Sequence, residues 1–180
     1  MIFDKSFKEI FSAQIFAIIG GTLAGIILAA YTDKIFIIPG MLIILPGFMA
    51  MRGNISGTFA SRISSGLFLG VIKPDEKKSK IIRGNINGSF VLALMVSIAL
   101  GLVAFLFNYL IAGVIVFKII FVPILAGILS NFILNPLTLF ATIYIFKRGD
   151  DPNNIIGPII TTTGDLTSIA SLLLVVMLIT

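Results

Sequence analysis

The sequence predicts an all-α integral membrane protein: five transmembrane helices, the second interrupted, with the N-terminus cytoplasmic and the C-terminus outside. Three observations carry that expectation. The 180 residues are 58% hydrophobic and only 12% charged, against about a quarter charged in average soluble domains. The apolar residues fall into five runs. The charges lie in short segments between the runs, mostly on alternate sides. A mean hydropathy of +1.14 is more apolar surface than a water-soluble fold of this size can hide, so the solvent is a bilayer.

A helix needs about 20 apolar residues to cross the hydrocarbon. The first run is Ile10 to Tyr31. It begins too late and is too long for a secretory signal, and no small-residue cleavage site follows it. The second, Ile35 to Ile72, exceeds one plain span and contains Pro39, Pro46 and the polar "RGN" at 52–54. The third runs from about Asn85 to Ala112, the fourth from Phe117 to Phe146 and the fifth from Ile155 to Ile179. The hydrophilic linker "KPDEKKSK" is too short to separate two domains, so residues 1–180 read as one transmembrane domain. No soluble domain is expected at either end.

Loop charge sets orientation. Lys5 and Lys8 precede the first span. Lys73, Lys77, Lys78, Lys80 and Arg83 join the second and third. Lys147 and Arg148 join the fourth and fifth. Five crossings put all nine on one side and leave Lys34 and Lys118 on the other. The net charge of +5 therefore reflects topology and not a nucleic-acid partner.

Missing residues exclude whole chemistries. There is no cysteine and no histidine, hence no disulfide, no thiolate nucleophile and no zinc-thiolate site. The commonest general base and the commonest transition-metal ligand are gone as well. Only oxygen ligands remain, which suit hard cations such as Mg²⁺ and Ca²⁺. With one membrane-embedded carboxylate, an enzyme is not expected.

That carboxylate is Asp165, in "PIITTTGDLTSIA". A charge near the bilayer centre costs about 2.5–3.5 kcal/mol on insertion scales, so it faces a cavity or a partner. Thr161 is four residues earlier and shares its helix face. Thr162 and Ser168 add hydroxyls close by. Asp165 serves either a cation or a structural bond to a neighbouring helix or to Arg62.

The stretch "RGNISGTFASRISSG" carries glycines and serines at the spacing that lets membrane helices approach closely. Gly53-Asn54, after two prolines, is expected to break the second span and present free carbonyls and the Asn54 amide to a pore. Arg62 either caps an internal anionic site or reaches toward the cytoplasm. Asn131 and Asn135, before Pro136, either satisfy carbonyls freed by the proline kink or line the path. The echo "RGNINGSF" at 83–90 has unrelated flanks and is read as a charged loop end plus a helix start, with Asn85 as N-cap.

"GFMAMRGNISGTFASRISSGL" and "DPNNIIGPIITTTGDLTSIASLLL", in that order, resemble the glycine-asparagine segment and the fifth-span aspartate motif of the MgtE-type magnesium transporters and their eukaryotic solute-carrier relatives. The resemblance implies a homodimeric pore in the cell membrane, with Mg²⁺ as the transported ion. Asp165 of both copies would bind the hydrated cation. Thr161 would hold the backbone-carbonyl position one turn earlier, and Gly53 and Asn54 the glycine-asparagine motif. Thr162, Ser168, Asn131, Asn135 and Arg62 are further candidates for lining the pore. Bacterial members carry large cytosolic sensing domains, and about nine residues precede the first span here, so that regulation is expected to be absent. Eukaryotic relatives fuse two such units; one unit implies a homodimer, with membrane lipid and Mg²⁺ its other partners. A different class, a proton- or sodium-coupled exporter titrating Asp165, is the competing expectation. A third is a membrane subunit whose polar motifs only assemble a complex.

Overall fold

A computed structural model describes residues 4–75 and 79–180. Lys77 and Lys78 of the basic linker lie outside the described residues. The elements are α1 (Lys5–Ala30), the single turn α2 (Thr32–Ile35), α3 (Met41–Phe68), α4 (Lys80–Leu110), α5 (Lys118–Lys147) and α6 (Pro152–Ile179). The described residues contain no strand. Backbone hydrogen bonds that stay within a segment are what a lipid environment demands.

Capping residues set the helix starts. Asp4 accepts from the Phe7 amide at 2.9 Å and opens α1. Asp151 accepts from the Asn153 amide at 2.9 Å and opens α6, with Pro152 in the first turn, where its missing N–H costs nothing. Ser79 accepts from the Ile82 amide at 3.2 Å and opens α4. This corrects the expectation that Asn85 caps that helix. Asn85 is a full turn inside it, and its side chain donates to the Ile81 carbonyl at 2.9 Å.

α1, α4, α5 and α6 are long and apolar enough to cross a membrane. The 28-residue α3 is as long, but not apolar enough by the same measure. It compensates by enclosure: half of its 28 residues are buried. Its neighbours are α4, α5 and α6, and α1 packs on the far side of α6.

The expected break at Gly53-Asn54 does not occur. α3 runs as one helix from Met41 to Phe68, through Pro46, Gly53 and Asn54. A single glycine and an asparagine together cost only about 1.5 kcal/mol of helix propensity. Met51, Arg52, Ile55 and Ser56 around them are all buried and hold the helix in place. The interruption falls earlier, at residues 36–40, between α2 and α3. Gly40 takes φ +90, open to glycine and strained for other residues. The Asn108 amide of α4 donates to the Pro39 carbonyl at 2.7 Å and fixes this turn.

The helices alternate in direction. Lys5 at the start of α1 meets Asp150 before α6 at 3.0 Å, and Lys147 at the end of α5 meets Asp75 after α3 at 2.6 Å. The chain start, the α3–α4 connection and the α5–α6 turn therefore gather at one end of the bundle. These are the three basic segments that the charge pattern groups together. At the other end Lys118, opening α5, donates to the Ile179 carbonyl of α6 at 2.8 Å.

Candidate cation path along α3 and α6

Asp165 stands at the middle of α6 and is half-buried. Thr161, one turn earlier, is exposed. The two share a face, as their spacing requires. Among the described residues no ion pair joins Asp165 to Arg62 or to Arg52, and no three His, Cys, Asp or Glu side chains gather as a chelating group.

The register between α3 and α6 follows from what they bury together. Leu45 and Phe48 share a core cluster with Ile169, Leu172 and Val175. Ala60 shares a second with Ile156 and Ile160. The helices are antiparallel, and this register carries Gly53 and Asn54 to the level of Asp165. Asn54 is exposed and Gly53 half-buried, with open space where a Cβ would stand at Gly53 and at Gly57. Asn54, Thr58, Ser61 and Ser65 are all exposed and form a polar stripe on the open side of α3.

Beside the stripe, grooves run between α3 and α4. One of about 210 Å³ is lined by Asn54, Thr58 and Leu92, and another of about 440 Å³ by Thr58, Arg62, Asn85 and Met95. Arg62 is thus on the open face with Asn54, as their eight-residue spacing implies.

The remaining sequence candidates lie inside the bundle. Thr162 is buried against α1, directly over Gly20, where a Cβ would collide with its methyl group. Ser168 is fully buried. Asn131 and Asn135 are buried on α5 and bond to neighbouring helices, not to carbonyls freed by Pro136. The Asn131 amide donates to the Ser89 carbonyl at 3.2 Å, and its oxygen accepts from Arg52 Nη1 at 2.6 Å. The Ser89 hydroxyl donates to Asn135 Oδ1 at 3.5 Å.

Arg52 is the residue that sequence reasoning passed over in favour of Arg62. It is 0% exposed, the only fully buried charge among the described residues. The signal was present: Phe48, Arg52, Ile55 and Phe59 recur at helical spacing, so Arg52 shares the apolar, inward face.

Apolar helices packed against a less apolar one that keeps a polar stripe open, beside a mid-helix carboxylate, define a multi-pass membrane protein. The comparison with known families agrees. The family model for MgtE, a divalent cation transporter, matches residues 45–175. The chain belongs to the MgtE family of divalent cation transporters. The match takes in both the α3 stripe and Asp165. No solved structure matches the chain.

Proposed function

We propose that the protein conducts Mg²⁺ through a pore on the two-fold axis of a homodimer, with five crossings per chain and the basic end of the bundle in the cytoplasm. α3 is the fifth crossing: it packs against α4, α5 and α6 and alternates in direction along the chain with the four apolar helices. The cytoplasmic assignment rests on the excess of lysine and arginine at one end.

One observation carries the reading. Asp165 is a half-buried carboxylate at the middle of a membrane helix, with no cationic partner among the described residues, level with the open polar face of α3. One carboxylate and neighbouring hydroxyls cannot strip Mg²⁺ of its water. They can hold the hydrated ion, which is how Mg²⁺ is commonly bound. A second copy across a two-fold axis doubles the charge to −2 and closes the polar stripe. In this arrangement Asp165 binds the water shell, Thr161 contributes oxygen one turn away, and Asn54 and Gly53 face the ion from α3.

Asp165→Asn tests this. It keeps size and hydrogen bonding and changes the paired site from −2 to 0. Magnesium-dependent thermal stabilisation should vanish, since it follows RT ln(1 + [L]/Kd). The metal-free variant should be no less stable than the wild type, because two facing carboxylates repel. A variant that still gains stability from Mg²⁺, or still carries Mg²⁺ into proteoliposomes at the wild-type rate, overturns the assignment.

A further inference from the structure

The buried guanidinium of Arg52 has no part in that cation path. Arginine stays charged in proteins, and a charge at this depth requires compensation. Its Nη1 is used by Asn131. Its Nε and Nη2, adjacent along the free edge of the fork, are buried with no hydrogen-bond partner. Among the described residues no carboxylate forms an ion pair with it.

The neighbouring groups share one property. Phe48 lies beside Gly127, and Arg52 bonds to Asn131, so α3 and α5 run parallel in fixed register. One turn onward, this brings Ser56 to the level of Asn135. Gly164 lies beside Leu134 across the antiparallel α5–α6 seam, which carries Ser168 to the level of Asn131. The hydroxyls of Ser56 and Ser168 and the Asn135 amide nitrogen are all buried without partners. The side-chain oxygens of the two asparagines are already engaged by Arg52 and Ser89. Three guanidinium N–H bonds on two nitrogens, one amide and two hydroxyls that can donate are left over, around a full positive charge.

We propose that Arg52, Ser56, Asn135 and Ser168 form an internal anion site, occupied by a halide and in practice by chloride. Donor surplus and charge select an anion. Enclosure selects a monatomic one, since all four residues are 0–1% exposed. Water would satisfy some of the donors and leave the charge uncompensated. The site lies behind α3, at the level of Asp165. There an anion cancels the positive potential that Arg52 would otherwise project onto a cation beside Asp165.

The test reads stability, so it stands or falls separately from transport. The purified protein is melted in sodium gluconate, chloride and bromide at equal ionic strength. Chloride and bromide should raise the melting temperature saturably over gluconate; a folding constant about 100-fold higher is expected at 100 times the halide Kd. Asn135→Asp supplies an internal carboxylate. It should melt in gluconate as the wild type does in chloride, and lose the halide response. Arg52→Gln should also lose the response, and Asn135→Asp keeps the question decidable if Arg52→Gln does not fold. Equal melting of the wild type in all three salts overturns the proposal in favour of interior water. A halide shift that persists in Asn135→Asp places the anion elsewhere and overturns it equally.

Discussion

Arg52 donates to the side-chain oxygen of Asn131 at 2.6 Å, and this single bond ties the inner face of α3 to α5. Asn131 in turn donates to the Ser89 carbonyl at 3.2 Å, so three helices meet at one asparagine. Removing it strands a charged donor. Asn131→Leu should destabilise by about 1.5–3 kcal/mol, the range for a hydrogen bond to a charged group. Replacing both partners is less costly than breaking the pair. Arg52→Met with Asn131→Leu should therefore recover most of the loss. A double-mutant cycle in chemical denaturant gives the coupling; additive losses would mean that the bond is not the source.

Glycines on α4 separate packing from propensity. At Gly101 a Cβ would sit 2.6 Å from the Ile120 carbonyl oxygen, a backbone atom at the start of α5 that cannot swing away. At Gly88 nothing stands within 4 Å. Gly101→Ala should destabilise by about 1–3 kcal/mol through overpacking. Gly88→Ala should be neutral or stabilising by up to about 1 kcal/mol, the helix propensity gained. Melting the two variants side by side checks the sign as well as the size.

The turn before α3 makes a sharper case. Gly40 has φ +90, and a Cβ there would meet the Asn108 amide nitrogen and Ile119 Cδ1, each at 2.5 Å. Gly40→Ala combines backbone strain with a clash and should cost more than Gly101→Ala. Asn108→Leu should loosen the same turn by freeing the Pro39 carbonyl. Hydrogen exchange at residues 41–44 should then speed up, while exchange in α6 is unchanged.

Much of this architecture is legible in the sequence because the bilayer simplifies the problem. Apolar run length gave the long helices, and charge spacing gave the gathering of three basic segments at one end. Local polarity misled at Gly53-Asn54. A helix in a bundle is broken by loss of packing more than by weak propensity, and the packing partners of Met51, Arg52 and Ile55 come from other helices. The same limit hid Arg52. Helical spacing already put it on the inward face, but its acceptor Asn131 is 79 residues away. Thr162 and Ser168 are near Asp165 in sequence. Both turn inward because of where α1 and α5 dock, and nothing local records that.

Asn54 should matter for transport and not for folding. It is exposed on a continuous helix, and its side chain packs into no core cluster. Asn54→Leu should change stability by less than about 0.5 kcal/mol. If Asn54 faces the hydrated ion, flux of Mg²⁺ into proteoliposomes should fall at least roughly tenfold, the effect of about 1.4 kcal/mol on a barrier. Normal flux with normal folding would return the stripe to a packing role.

Cross-linking tests the proposed homodimer and locates the face that pairs. The chain has no cysteine, so one introduced thiol reports on one position. Ser61 is exposed on the polar stripe of α3. Phe132 is 65% exposed on α5 and stacks edge-on with Phe90 of α4 at 5.0 Å, on an apolar surface suited to lipid. Two-fold symmetry brings a residue near its own copy only when it lies close to the axis. In membranes, Ser61→Cys should form a disulfide-linked dimer on mild oxidation, because small and polar residues drive close helix approach in lipid. Phe132→Cys should remain monomeric on a denaturing gel. The reverse pattern would put the axis on the α4–α5 face and Asp165 at the periphery, and a shared cation site could not then form.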